Sequence, residues 1–164
     1  MVDVRDAAAT VAAPLLPALI AMTGLQALVA VALFAPGVLA PPLGITTAEI
    51  GLFSTAIFAV GMASSMVAGT LVARFGSLGV AALCAGVVAL SMAVCAGAPT
   101  ALGLMVAGLV LGIAFGLETP ASSALLARLA RPDQRPLVFS VRQTGNQIGA
   151  MLGSMVLPLM RRRG

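Results

Sequence analysis

Charge is scarce in this chain, and several side-chain types are missing outright. Of its 164 residues only 9% are charged, all nine bases are arginine, and there is no lysine, histidine, tryptophan or tyrosine. A soluble domain carries about a quarter charged residues, and at this length it has a large surface to hydrate. Five acids and nine arginines cannot cover that surface, so lipid is expected as the solvent for most of it. With no histidine and two cysteines, the sequence offers no metal-ligand cluster and no nucleophile beside a base. An enzyme is not expected, nor a metal or a cofactor. The excess of base does not point to nucleic acid, because no basic stripe is interleaved with aromatics. Cys84 and Cys95 share one apolar segment and would stand about 16 Å apart along a helix. That is too far for a disulfide, so they read as small apolar packing residues.

What the chain has in quantity is apolar residue, 60% of the total. A span needs about 20 mainly apolar residues to cross a hydrocarbon core roughly 30 Å thick. Five runs qualify: 14–38, 50–72, 78–96, 101–127 and 137–160. The expected fold is all-α, a polytopic transmembrane helical bundle over 14–160, with an amino-terminal tail at 1–13 and a basic tail at 161–164. The breaks are legible. Pro41-Pro42 cannot continue a helix, and Thr46 or Thr47 can cap the second span with Glu49 in its first turn. Arg74-Phe75-Gly76-Ser77 and Gly97-Ala98-Pro99-Thr100 read as tight turns, and 131–136 is the longest charged loop. The first run is too long for a signal peptide and lacks a basic leader.

Arginine sets the orientation. Arg74, Arg128, Arg131 and Arg135 follow the second and fourth spans, while the loops after the first and third carry none. The positive-inside rule then puts the amino terminus and the Arg-bearing loops in the cytoplasm. Five spans would place Arg161-Arg162-Arg163 outside, against the same rule. The tail is a minority violation, or the fifth segment does not fully cross, or the chain is cut from a longer one, and the last is the favoured expectation.

Polar groups inside spans mark function or packing. The third span is apolar all round except for Ser91 and the cysteines, and suits a lipid-facing position. Gln26 lies near the middle of the first span. Glu118 lies about 6 Å to the cytoplasmic side of the centre of the fourth. The fifth is the most polar, with Arg142, Gln143 and Asn146 in its cytoplasmic half. Glu118 and Arg142 fall at similar depth and can pair, or each can bond to backbone and water, in either case to fix packing; alternatively they line a solute pathway as anion site, proton acceptor or gate. Arg142 can instead snorkel to the interface. Gly145, Gly149 and Gly153 form a four-residue repeat that lets another helix approach closely.

The order of these segments resembles the amino-terminal portion of the major facilitator superfamily (MFS). Val38 to Thr46 and then Glu49-Ile50-Gly51-Leu52 resemble the family's proline-containing exit from its first span and the start of its second. Gly69, Arg74 and Gly76 match the signature loop between spans two and three. Ala73 replaces its acid, and Ser77 and Leu78 replace its basic pair. Gly108 to Gly116, running on to Pro120, resembles the glycine-rich fourth helix, without the arginine many members carry there. Phe139-Ser140-Val141-Arg142-Gln143-Thr144-Gly145 resembles a fifth-span sequence of a bacterial subset.

The resemblance implies two six-span halves around a central cavity, each built from inverted three-span repeats. In that plan spans one and four line the cavity, two and five meet the other half, and three packs outside. It implies a secondary active transporter that moves a small solute by alternating access in a bacterial inner membrane, and an acid on a cavity helix makes Glu118 the candidate for proton coupling. With the signature acid and bases gone, the loop's charge network is reduced to Arg74. The chain stops after its fifth span, so a truncated transporter is one expectation. The alternative is a non-transporting bundle that acts by assembling with a second membrane chain. The expected partners are the lipid bilayer and a small solute, with no nucleic acid.

Overall fold

In lipid every backbone N–H and C=O must be satisfied within its own segment, so long apolar runs become helix. The computed structural model describes residues 4–39, 44–98 and 100–161, with side chains for 14–34, 44–98 and 100–155. These residues form α1 (Val4–Leu39), α2 (Thr47–Gly97), α3 (Ala101–Leu129) and α4 (Arg135–Arg161). The breaks expected at Pro41-Pro42 and Pro99 and the tail beyond Arg161 lie outside the described residues.

The helix that contains the first candidate span begins at Val4, within the stretch expected to precede that span. Its alanines at 7–9 are the strongest helix formers, and they extend the apolar run beyond Pro14. At 36 residues, α1 is about 54 Å long at 1.5 Å per residue.

Thr46 opens α2 with a reciprocal cap. Its N–H and hydroxyl donate to one Glu49 carboxylate oxygen at 2.7 and 2.8 Å, and its hydroxyl oxygen accepts from the Glu49 N–H at 3.3 Å. This capping box satisfies two donors that a helix start leaves orphaned. The helix then runs for 51 residues, about 76 Å and more than twice the hydrocarbon thickness. It is broken at Gly76, where φ is 73° and ψ 160°. That conformation costs a residue with a side chain roughly 1–3 kcal/mol and suits glycine. The turn expected over 74–77 is therefore a one-residue break with helix on both sides. It divides α2 into limbs 47–75 and 77–97.

Thr100 caps α3, its hydroxyl oxygen accepting from the Gly103 N–H at 3.1 Å. At the other end, Arg135 of α4 reaches back to the carbonyls of Ala127 (3.0 Å) and Ala130 (3.4 Å). These groups would otherwise lack partners.

By length and composition, three helices among the described residues qualify as membrane spans: Pro14–Phe34 within α1, Thr47–Gly97 and Ala101–Leu129. The polar first half of α4 keeps it out of that set. Five crossings require each limb of α2, and α4, to span.

The helices dock in two pairs, α2 with α3 and α1 with α4, and the contacts between pairs are fewer. Glycine sets the closeness of both. On α3, a Cβ at Gly112 would lie 2.8 Å from the Ile57 carbonyl oxygen, and one at Gly108 would lie 2.7 Å from the Phe53 ring. A Cβ at Gly116 would collide with the Gly61 carbonyl. On α4, a Cβ at Gly145 or Gly149 would collide with the carbonyls of Thr23 and Ala27, and one at Gly153 would lie 3.2 Å from the Phe34 Cβ. Lipid tails are as apolar as leucine, so helix association in a bilayer relies on such close van der Waals packing.

The second limb of α2 buries one stripe, Ser77, Val80, Ala81, Cys84, Val88, Ser91 and Cys95, at the spacing of one helix face. Ser91 donates to the Ala107 carbonyl at 2.8 Å, and both cysteines are buried and free. The opposite face exposes Leu78, Leu83 and Leu90.

Candidate functional site

The polar residues of α1, α3 and α4 converge where the two helix pairs meet. Arg142 is the centre, 4% exposed. Its Nε donates to Gln26 Oε1 at 3.0 Å. Its Nη1 donates to the Ser122 hydroxyl at 2.7 Å and the Ser123 hydroxyl at 3.1 Å, with the Thr119 carbonyl at 3.4 Å. Its Nη2 has a long contact of 3.4 Å to Gln143 Oε1, which also accepts from Gln26 Nε2 at 3.3 Å. A guanidinium has five N–H donors and no acceptor, and here every oxygen it meets belongs to a neutral group.

Glu118 is buried at 3% exposure but does not pair with Arg142 directly. Among the described residues the one ion pair is the exposed Arg131–Asp133, at 3.5 Å. Similar depth on neighbouring helices suggested a direct pair, and the structure corrects it: the Ser122 hydroxyl stands between the two charges. Ser122 accepts from Arg142 and has one hydrogen to give. Its choices are the Glu118 carbonyl at 2.8 Å, Glu118 Oε1 at 3.2 Å and the Thr119 carbonyl at 3.2 Å. The other carboxylate oxygen of Glu118 accepts from the Thr119 hydroxyl at 3.0 Å. Pro120 follows and has no N–H to offer the Gly116 carbonyl one turn back, which loosens α3 beside its acid.

Two open clefts flank the cluster. One, of about 420 Å³, is lined by Thr119, Ser123, Phe139, Ser140, Arg142 and Gln143. The other, of about 540 Å³, takes in Phe34, Phe53, Phe58 and Phe115, with Ser54 and Asn146 as its polar groups. Four of the six phenylalanines of the chain thus share one cleft, and Phe58 meets Phe115 edge to face at 5.3 Å and 86°.

Of the residues singled out in the sequence, Gln26, Arg142 and Gln143 form one network, and Glu118 joins it through Ser122. Asn146 lies apart, in the phenylalanine cleft. Arg74 is exposed, with its guanidinium 5.4 Å from the Phe75 ring centre. A Cβ at Gly69 would meet nothing within 4 Å. Sequence reasoning missed Thr119, Ser122, Ser123 and the phenylalanines. The spacing of Ser122 from Glu118, one helical turn on the same face, was the available signal for the first group.

The family model described as Major Facilitator Superfamily matches residues 7–160. The chain belongs to the major facilitator superfamily. Searches of curated proteins and of solved structures each found no match. Membership makes it an integral membrane protein of a transporter family. The buried Arg142 network is therefore a polar cluster inside a major facilitator helical bundle, where an uncompensated charge is expensive and marks a solute or ion path or a specific packing device.

Proposed function

We propose that this major facilitator chain is a secondary active transporter that moves a small solute by alternating access across a bacterial inner membrane. In this reading α1, the two limbs of α2, α3 and α4 each cross the bilayer, and the amino terminus and the Arg74 and Arg128–Arg135 segments lie in the cytoplasm. The supporting observation is the placement of Arg142. It is a buried cation held by Gln26, Ser122, Ser123 and Gln143, without a direct carboxylate partner among the described residues, at the edge of an open cleft. Gln26 and Gln143 hold the guanidinium for a solute, and Asn146 offers a hydrogen-bonding amide in the adjoining aromatic cleft. Glu118 is the proton acceptor, because it is the buried carboxylate one hydroxyl away from that cation.

The test is uptake into membrane vesicles from cells expressing the full-length gene, with a panel of labelled small solutes and an imposed pH gradient. Arg142→Gln abolishes uptake of the solute identified. Glu118→Gln leaves solute exchange and removes its dependence on the gradient. Unchanged gradient dependence in Glu118→Gln overturns the proton role.

A further inference from the structure

We infer that the break in α2 at Gly76 is a binding site for a phosphate group, presented by an anionic phospholipid or as free phosphate. This inference is independent of the transport reading.

Three features meet there. The first is a helix start without a side-chain cap. After Gly76 the second limb of α2 runs to Gly97, and the first N–H groups of any helix have no acceptor within it. Elsewhere α2 and α3 begin with a threonine that supplies that acceptor. Here the residue at the break is glycine, which has no side chain to do so. Such an end carries partial positive charge and directs N–H groups at an anion.

The second feature is an orphaned hydroxyl. Ser77 is 5% exposed, and its Oγ has no hydrogen-bond partner. A buried hydroxyl without a partner is costly. Ser77 lines a cavity of about 290 Å³ at the break, together with Gly76 and Gly79, and a rotation of its side chain would offer that hydrogen to an oxyanion there.

The third is Arg128, which lines the same cavity from α3. Among the described residues its side chain makes no hydrogen bond or ion pair. Anion binding beside the last turn of α3 would normally be opposed by that helix's free carbonyls. Arg135 already covers the Ala127 and Ala130 carbonyls, and no carboxylate lines the cavity. Phosphate matches this donor set: a fork of guanidinium N–H groups, a hydroxyl and backbone N–H groups. Phe75 and Leu78 flank the cavity at 58% and 63% exposure, an apolar surface on which the acyl chains of a bound lipid would lie.

The experiment has two arms, each on the full chain. In nanodiscs of phosphatidylcholine with added phosphatidylglycerol, native mass spectrometry counts retained phosphatidylglycerol. In lipid-free detergent, inorganic phosphate is titrated and followed by ³¹P NMR. Arg128→Gln is expected to weaken binding about tenfold or more, as the loss of a charge-assisted contact implies. Ser77→Ala is expected to weaken it roughly three- to tenfold. Arg131→Gln, in the exposed pair with Asp133, leaves binding unchanged. Far-UV circular dichroism checks that each variant is folded, and Ser77→Ala carries the test if Arg128→Gln is not. Retention of phosphatidylglycerol without inorganic phosphate assigns a lipid ligand, and binding in both arms assigns phosphate from either source. Two results overturn the site: wild-type binding in both Arg128→Gln and Ser77→Ala, or equal losses in Arg131→Gln and Arg128→Gln.

Discussion

Replacing Gln26 by leucine keeps roughly the shape of the side chain and removes the acceptor for Arg142 Nε. That nitrogen has its bond to Gln26 Oε1 at 3.0 Å, and both residues are buried, at 8% and 4% exposure. A hydrogen bond to a charged group contributes about 1.5–3 kcal/mol in water-soluble proteins. Between membrane helices the measured average is nearer 0.6 kcal/mol, with a maximum of about 1.7. A guanidinium only 4% exposed, with no other acceptor at Nε among the described residues, belongs in the upper part of the membrane range, so Gln26→Leu is expected to destabilise the fold by about 1.5 kcal/mol. The 3.3 Å bond from Gln26 to Gln143 adds little. A double-mutant cycle with Arg142→Met should return a coupling of about 1 kcal/mol or more. Gln26→Glu offers a charged acceptor at the same place and should match or exceed the parent in stability. Unfolding is titrated with dodecyl sulfate in mixed micelles and followed by far-UV circular dichroism, because the chain has no tryptophan or tyrosine to report by fluorescence. A coupling below about 0.3 kcal/mol, within the scatter of independent sites, would refute the claim that Gln26 holds Arg142.

Other perturbations address packing and capping. A Cβ at position 149 would lie 2.6 Å from the Ala30 Cβ, whereas one at Gly86 meets nothing within 4 Å. Gly149→Ile should therefore cost about 1–3 kcal/mol in the same titration, and Gly86→Ile should leave its midpoint unchanged. Thr46→Ala removes the cap of α2 and should cost about 1 kcal/mol, seen as faster amide hydrogen exchange in the first turn after Thr46 and not in α3.

The helical class was readable because it follows from composition and run length, which need no knowledge of neighbours. The Thr46–Glu49 cap was equally local: a hydroxyl and an acid three residues apart define it. Gly145, Gly149 and Gly153 announced a close approach, but the partner, the stretch of α1 from Thr23 to Phe34, depends on docking. Rise per residue gives the depth of Glu118 and Arg142 and says nothing about their azimuth, which is why a direct pair stood as one possibility and the intervening Ser122 was not legible. The phenylalanine cleft was illegible for a related reason. Phe34, Phe53 and Phe115 sit on three different helices, and no local pattern links them. Hydropathy marks where a helix can meet lipid, which is why it pointed to Pro14, whereas the helix itself begins at Val4, ahead of the alanines at 7–9.

The glycine contacts have a mechanical consequence. Each pair, α2 with α3 and α1 with α4, is held backbone to backbone, so sliding within a pair would drive carbonyl oxygens into the neighbouring helix. Between the pairs the contacts are fewer. The softest deformation of the bundle is thus a shear of one rigid pair past the other. Arg142 spans that boundary, reaching Gln26 within its own pair and Ser122 and Ser123 across it. Its side chain acts as a latch whose three attachments cannot all survive the shear.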